Sequence, residues 1–312
     1  MTRTLALASL LLAPSAAFAG PGAFSDTDFL LQLDTVRAVV ASAAAEPEAA
    51  SWDGVPMIAA ADAGPVDPAR PMVKELLKGS GIPESYVDAA FDDPRVQNHE
   101  EIPAIFDRPH ESLTYEQYRK LLITETRIAA GVKFYKERKD LLGQASARYG
   151  ADPLIMASIV GVESSFGAAR GKYRVFNALV TQVRLMPRRQ KWAAKELAEL
   201  LKYAYGDRLD PHEVWGSYAG AFGYGQFMPS SWNNLAVDFD GDKVRSPYQW
   251  PDALGSIGNY LARSGYPAGS ADFSRDSRIW KAIYAYNHSD NYVNVIIDLR
   301  AEILARLNPS RS

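Results

Sequence analysis

The chain has 312 residues, of which 47% are hydrophobic and 11% aromatic, enough for a packed core and too much for an intrinsically disordered chain. Its 34 basic and 37 acidic residues leave a formal net charge of −3, without the basic excess that a nucleic-acid binder carries. There is no cysteine, which excludes a disulfide framework, a thiolate nucleophile, a zinc–thiolate site and a lipid-bearing N-terminal cysteine.

The first 19 residues read as an export signal. Arg3 gives a positive start, Leu5–Ala13 is an apolar stretch of signal-peptide length, and Ala17-Phe18-Ala19 is a small-x-small cleavage site. A soluble exported protein is therefore expected, with no membrane span and no lipid anchor. Residues 20–70 form an Ala/Gly/Pro-rich leader with a possible amphipathic helix at Phe29–Ala43. From Pro71 onward the patterning predicts helices at Pro71–Gly79, Glu84–Phe91, Tyr115–Arg138, Leu141–Tyr149, Pro153–Ser164, Arg189–Tyr205, Pro251–Ser264, Ile279–His288 and Asn291–Leu307. Alternating strand patterns are scarce, so the expected fold is mainly α.

The helix predicted at Pro153–Ser164 starts with Asp152-Pro153, an N-cap followed by proline at the first helical position, and Gly167 lies where it should stop. It carries an apolar run, "IMASIVGV", that ends in Glu163. Ile159 and Val160 share the glutamate's side of the helix. Either the carboxyl points to solvent from the last turn, or it sits poorly hydrated. In the second case its neutral form is favoured, as a general acid requires.

Two later stretches offer chemistry of their own. In "SYAGAFGYGQFMPSSW", Ser217–Trp232, glycines allow close backbone approach, Gln226 is both donor and acceptor, and the aromatic rings supply flat surface of the kind that sugars stack on. A glycine-bearing turn packed by aromatics is the plainer alternative. In "DFDGDKVRSPYQWPD", Asp238, Asp240 and Asp242 occupy alternate positions, the Val244 carbonyl follows, and Asp252 can close a shell for a hard cation. The glycine position and the late closing acid depart from a regular EF-hand, and a solvated acidic turn is the alternative.

Together with "DALGSIGNYL" and "AYNHSDNYV", these stretches resemble the lytic murein transglycosylase B family, in order along the chain from about Lys74 to Leu299. The resemblance implies a lysozyme-like catalytic core at about residues 141–265, with additional helical flanks at 71–140 and 266–312 packed around it. It implies that Glu163 is the sole catalytic acid/base, and that Ser217, Gln226 and Asn287 hold the acetamido group and hydroxyls of the sugar. Tyr118, Tyr260, Tyr286 and Tyr292 would line the cleft, and Arg188 with Arg189 could meet the acidic peptide stem. Asp238, Asp240, Asp242, Val244 and Asp252 match the family's calcium loop, so a structural Ca2+ is implied and no organic cofactor.

The implied reaction is non-hydrolytic cleavage of the β-1,4 bond between N-acetylmuramic acid and N-acetylglucosamine in peptidoglycan glycan strands, leaving 1,6-anhydromuramyl ends. Other cell-wall enzymes are possible partners. Only about twenty residues, Tyr266–Ala285, occupy the place where family members commonly insert a small β-rich domain. A hydrolytic goose-type-like lysozyme and a non-catalytic peptidoglycan-binding scaffold are the rival readings. A zinc peptidase or serine hydrolase is disfavoured, because His-Glu-x-x-His and Gly-x-Ser-x-Gly are both missing.

Overall fold

The computed structural model describes residues 67–107 and 113–309. The export signal, nearly all of the leader and the helix expected at Phe29–Ala43 lie outside them. Thirteen α-helices are present among the described residues: α1 (Ala69–Leu77), α2 (Glu84–Asp92), α3 (Glu101–Phe106), α4 (Tyr115–Leu122), α5 (Glu125–Glu137), α6 (Lys139–Tyr149) and α7 (Pro153–Ser164) precede α8 (Val175–Leu185), α9 (Gln190–Gly206), α10 (Pro229–Leu235), α11 (Trp250–Arg263), α12 (Arg278–Tyr286) and α13 (Asp290–Leu307). Two short strands, β1 (Tyr173–Arg174) and β2 (Trp215–Gly216), pair antiparallel. The mainly α expectation holds.

The centre of the molecule is α7. Asp152 caps it, its Oδ1 accepting from the Leu154 and Ile155 amides at 2.7 and 3.1 Å, while its Oδ2 pairs with Arg300 of α13 at 2.7 Å. Every residue from Leu154 to Ser164 is buried. A helix wrapped on all sides shows no amphipathic stripe, which is why its sequence reads as an unbroken apolar run. Helices α5, α6, α11 and α13 pack around it, and α8 with α9 forms a second closely packed pair. One hydrophobic cluster runs through the assembly, from Ala69 to Ile303.

The structure corrects the sequence reading in four places. The single helix expected over Tyr115–Arg138 is two, because the chain leaves the helical region at Ile123 (φ −107°, ψ 82°) and Thr124 starts α5 by accepting from the Arg127 amide at 3.2 Å. The Arg127 guanidinium then donates to the Leu122 carbonyl at 2.6 Å, satisfying the broken end of α4. Helices α3 and α10 are too short for a periodic signal and carry proline early. Helix α8 is buried from Val175 to Val183, and its buried Asn177, Thr181 and Gln182 interrupt the apolar pattern without turning it to solvent.

Beside α8, His212 is buried with its ring 4.5 Å from Phe176 and Nε2 3.0 Å from the Ala90 carbonyl. Burial holds its pKa below the usual histidine range, against the opposing charge of Asp93; Arg95 works with burial and Asp210 against it. A base with a depressed pKa stabilises the fold above its unfolded value of about 6.5 and loses that contribution as pH falls. Thermal unfolding of the wild type should therefore weaken between about pH 7 and pH 5, and His212→Gln should flatten that decline. Parallel declines in both proteins would assign the effect elsewhere.

Candidate active site

Glu163 ends α7 and is 6% exposed. Beyond it the chain turns through three successive left-handed residues, Ser165 (φ 49°), Phe166 (φ 57°) and Gly167 (φ 85°). Left-handed backbone is unfavourable for a bulky side chain and needs compensation. Here the Phe166 amide donates to the Val160 carbonyl at 3.2 Å, and Ser164 Oγ donates to the same carbonyl at 3.1 Å while accepting from the Gly167 amide at 3.1 Å. The Phe166 ring lies where only glycine leaves room: a Cβ on Gly161 would stand 2.5 Å from it, and one on Gly131 3.1 Å. The helix stops at Ser164, as expected, and Gly167, three residues on, completes the turn.

Tyr292, in the first turn of α13, donates from its hydroxyl to Glu163 Oε1 at 2.7 Å, with both groups buried. Burial first, and the charge of Glu163 second, push the phenol of Tyr292 well above its ordinary pKa, so it remains a donor. Tyr118 from α4 and Tyr286 from the end of α12 feel the same two influences in the same order. The structure thus gathers Glu163, Tyr118, Tyr286 and Tyr292 into one neighbourhood from four helices. Tyr118 is fully buried and its hydroxyl has no protein hydrogen-bond partner.

The loop between β2 and α10 reaches this neighbourhood through Tyr286, whose hydroxyl donates to the Gly225 carbonyl at 2.5 Å. A Cβ at Gly225 would lie 2.8 Å from that hydroxyl, so the approach requires glycine. The next residue, Gln226, is left-handed (φ 49°) and half-buried, its side-chain Nε2 donating to the Gly223 carbonyl at 2.9 Å and its backbone amide to the same carbonyl at 3.2 Å. The Tyr260 ring lies tilted against Tyr286, 4.6 Å between centroids, and its hydroxyl donates to the Ala285 carbonyl at 2.6 Å. Ser217, 7% exposed, accepts from the Ala221 amide at 3.2 Å, and Asn287, 4% exposed, caps α12 next to Tyr286.

The arginine pair divides. Arg188 is exposed, whereas the Arg189 guanidinium lies 4.5 Å from the Phe106 ring and 4.2 Å from Trp192. Sequence reading did not single out three other groups that hold the loop. Phe106 lies on α3, which is too short to be legible. Gln182 is buried in α8, and Glu196 is buried in α9, accepting from the Ser230 amide at 2.9 Å and its hydroxyl at 2.7 Å. Buried Gln and Glu in otherwise apolar helices are the signal that could have found them.

In the acidic loop, Asp238, Asp240 and Asp252 bring carboxylate oxygens within 4.8 Å of one another. Asp252 is 1% exposed and takes the Phe239 and Ser246 amides at 2.8 and 2.7 Å, while Asp238 takes those of Gly241 and Lys243 at 2.7 and 2.9 Å. Burial raises the Asp252 pKa, and the charges of Asp240 and Asp238 add to the rise. Converging carboxylates under that strain suit a hard cation, which would neutralise them. Asp242 lies outside the trio, its Oδ1 accepting from the Val244 amide at 2.8 Å. The Val244 side chain, 38% exposed, turns to a small cavity with Tyr203 and Tyr248.

A buried glutamate ringed by tyrosines, on a helix wrapped by the rest of a mainly α domain, defines a lysozyme-like protein. The chain belongs to the transglycosylase SLT domain family, whose family model matches residues 66–276. It is 41% identical over 153 residues to membrane-bound lytic murein transglycosylase B of Escherichia coli, a match spanning 49% of this chain and 42% of that protein. Its structure is similar to soluble lytic transglycosylase SltB1 from Pseudomonas aeruginosa (TM-score 0.70, 29% identity, 78% of this chain and 99% of that one). It is also similar to the Escherichia coli lytic transglycosylase SLT35 in complex with calcium (TM-score 0.69, 26% identity, 77% and 93%).

If the trio binds Ca2+, addition at about a hundred times Kd should stabilise the fold by about 2.7 kcal/mol. A chelator should reverse the shift in melting temperature. Asp252→Asn should melt at the same temperature with calcium and with chelator. An unchanged wild-type melting curve would argue against the site.

Proposed function

We propose that the protein is a peptidoglycan lytic transglycosylase with Glu163 as its acid and base. The observation that carries this reading is the burial of one carboxyl, Glu163, hydrogen-bonded by Tyr292 inside a tyrosine-lined neighbourhood. Family membership and the kinship with lytic murein transglycosylase B support it. Residues 141–265 are taken as the lysozyme-like core, and 71–140 with 266–312 as its helical flanks.

In the proposed reaction, protonated Glu163 donates to the glycosidic oxygen as the C1–O bond breaks. The electron pair leaves with the N-acetylglucosamine side, and the substrate's own acetamido oxygen stabilises the cation developing at C1. The muramyl C6 hydroxyl then attacks C1, and its proton passes to the Glu163 carboxylate, restoring the acid. No water is consumed, so a single carboxyl suffices where ordinary glycosidases use two. Burial removes the water that would favour the ionised form, while the Tyr292 hydroxyl stabilises that form once the proton has left. One residue can then serve both halves of the cycle.

Ser217, Gln226 and Asn287 are proposed to hold the acetamido group and hydroxyls, with half-buried Tyr260 and Tyr286 as the cleft surface and fully buried Tyr118 behind it. Exposed Arg188 is the better placed of the two arginines to meet a stem carboxylate. Asp238, Asp240 and Asp252, with the Val244 carbonyl and Asp242 as further oxygen donors, would hold a structural Ca2+, which supplies only charge neutralisation to the loop ahead of α11. The protein is proposed to act in the periplasm after loss of residues 1–19. Among the described residues no helix is long and apolar enough to cross a membrane.

Mass spectrometry of digested peptidoglycan sacculi tests the reaction. The wild type should release muramyl products one water lighter than hydrolysed ends, and Glu163→Gln should release none. Reducing ends would make the protein a lysozyme, and no release by a folded wild type would favour the scaffold reading. Tyr292→Phe deletes a hydrogen bond to a charged group, an interaction of about 1.5–3 kcal/mol. Its kcat/KM on sacculi should fall about ten- to a hundredfold, and an unchanged rate would remove Tyr292 from the machinery.

A further inference from the structure

Arg189 is half-buried, and its guanidinium is held by neighbours on more than one side. Its guanidinium is flanked by Phe106 at 4.5 Å and Trp192 at 4.2 Å, and its Nε donates to Gln182 Oε1 at 3.0 Å. Gln182 is fully buried, and its Nε2 donates to the Tyr218 carbonyl at 3.0 Å and to the Ala178 carbonyl at 3.3 Å. The donor and acceptor roles leave no choice of orientation. Arginine can only donate, so the amide oxygen must face it, and the amide nitrogen must then face two carbonyls that can only accept. Reversing the amide would set donors against the guanidinium and an oxygen against two oxygens.

The Tyr218 carbonyl belongs to the peptide unit shared with Ala219, so Gln182 grips the backbone one unit beyond the Ser217–Tyr218 bond. Tyr218 is 2% exposed, and its ring meets Phe106 edge-on at 5.0 Å. Ile102, Ala178, Tyr218 and Ala219 form a separate hydrophobic cluster, with Phe106 and Tyr173 packed against it. Phe106 therefore touches both Arg189 and Tyr218, and Gln182 bonds to both. Two independent contacts tie the guanidinium to one short stretch of loop.

We infer that Arg189 is a positioning residue that sets the backbone of Ser217–Tyr218 through the Gln182 amide, and that it does so without meeting the peptide stem. The inference rests on the proposed role of Ser217 in holding the sugar. It assigns the two neighbouring arginines different work, with Arg188 the more exposed of the two.

The test uses glycan strands with and without stem peptides, cleaved by the wild type, Arg189→Met and Arg189→Lys. Methionine keeps an apolar stem between Phe106 and Trp192 but cannot donate to Gln182. Arg189→Met should raise KM about tenfold, by the same factor on both substrates, with kcat changed less. Arg189→Lys, which keeps one donor, should recover part of the loss. On a Gln182→Met background, Arg189→Met should add nothing further, because both substitutions break one relay.

Binding of a peptide-free N-acetylglucosamine oligosaccharide, followed by calorimetry, should weaken by a similar factor. Hydrogen exchange at the Tyr218 and Ala219 amides should quicken in Arg189→Met. A loss confined to peptide-bearing strands would make Arg189 a stem contact and overturn the inference, as would unchanged exchange at those amides. Ser217→Ala separates the two levels: if it leaves oligosaccharide binding intact, the reading of the sugar site itself has failed. If it weakens binding while Arg189→Met does not, only the positioning role has failed.

Discussion

The hydrogen bond from Tyr292 to Glu163 is the interaction on which the rest of the site depends. It joins the last turn of α7 to the first turn of α13, 129 residues apart in sequence, with both groups buried. A carboxyl in such a place is costly unless something donates to it, and the Tyr292 hydroxyl does so. The second tie between these helices, Arg300 to Asp152, fixes the opposite end of α7. With both ends held, α7 has little freedom to rotate, and the position of Glu163 follows.

The turn after Glu163 shows how much is given up to keep that position. Three left-handed residues in succession, one of them phenylalanine, are tolerated because the Phe166 ring seats against Gly131 and Gly161 and lies 5.3 Å from Phe134. The chain is thus turned sharply away from α7 without a flexible hinge. Glycines inside helices would ordinarily weaken them by about 1 kcal/mol each; the Phe166 ring accounts for Gly161 in α7, while Gly131 in α5 is needed first for Ile303 and then for that ring.

The loop from Ser217 to Phe227 is fixed by neighbours on several helices and not by its own hydrogen bonds alone. Gln182 holds its start, Tyr286 its middle, and Glu196 the first turn of the helix that follows. Burial raises the pKa of Glu196, which the two Ser230 donors oppose. Glycines let the loop come close to its neighbours, but the side chains that receive it are distributed over α8, α9 and α12. A loop held in this way can present Ser217 and Gln226 in a fixed relation, which binding a polar sugar face requires.

What the sequence determined by itself was local. The N-cap and proline at Asp152-Pro153, the apolar run ending at Glu163, the alternating aspartates and the glycine-rich aromatic loop are short-range patterns, and each was legible because its physical cause lies within a few residues. The helical class of the fold was legible for the same reason. The partner of Glu163, the split between Arg188 and Arg189, and the grip of Gln182 and Glu196 on the loop were decided only by the tertiary structure. Helix α8 shows why: it is buried from Val175 to Val183, yet its polar residues look like a solvated face until the carbonyls and guanidinium they meet are brought beside them. The acidic loop shows it again, since Asp242 fits the sequence spacing as well as Asp240 does. Only the folded chain puts Asp252 next to Asp238 and Asp240 and turns Asp242 toward the Val244 amide.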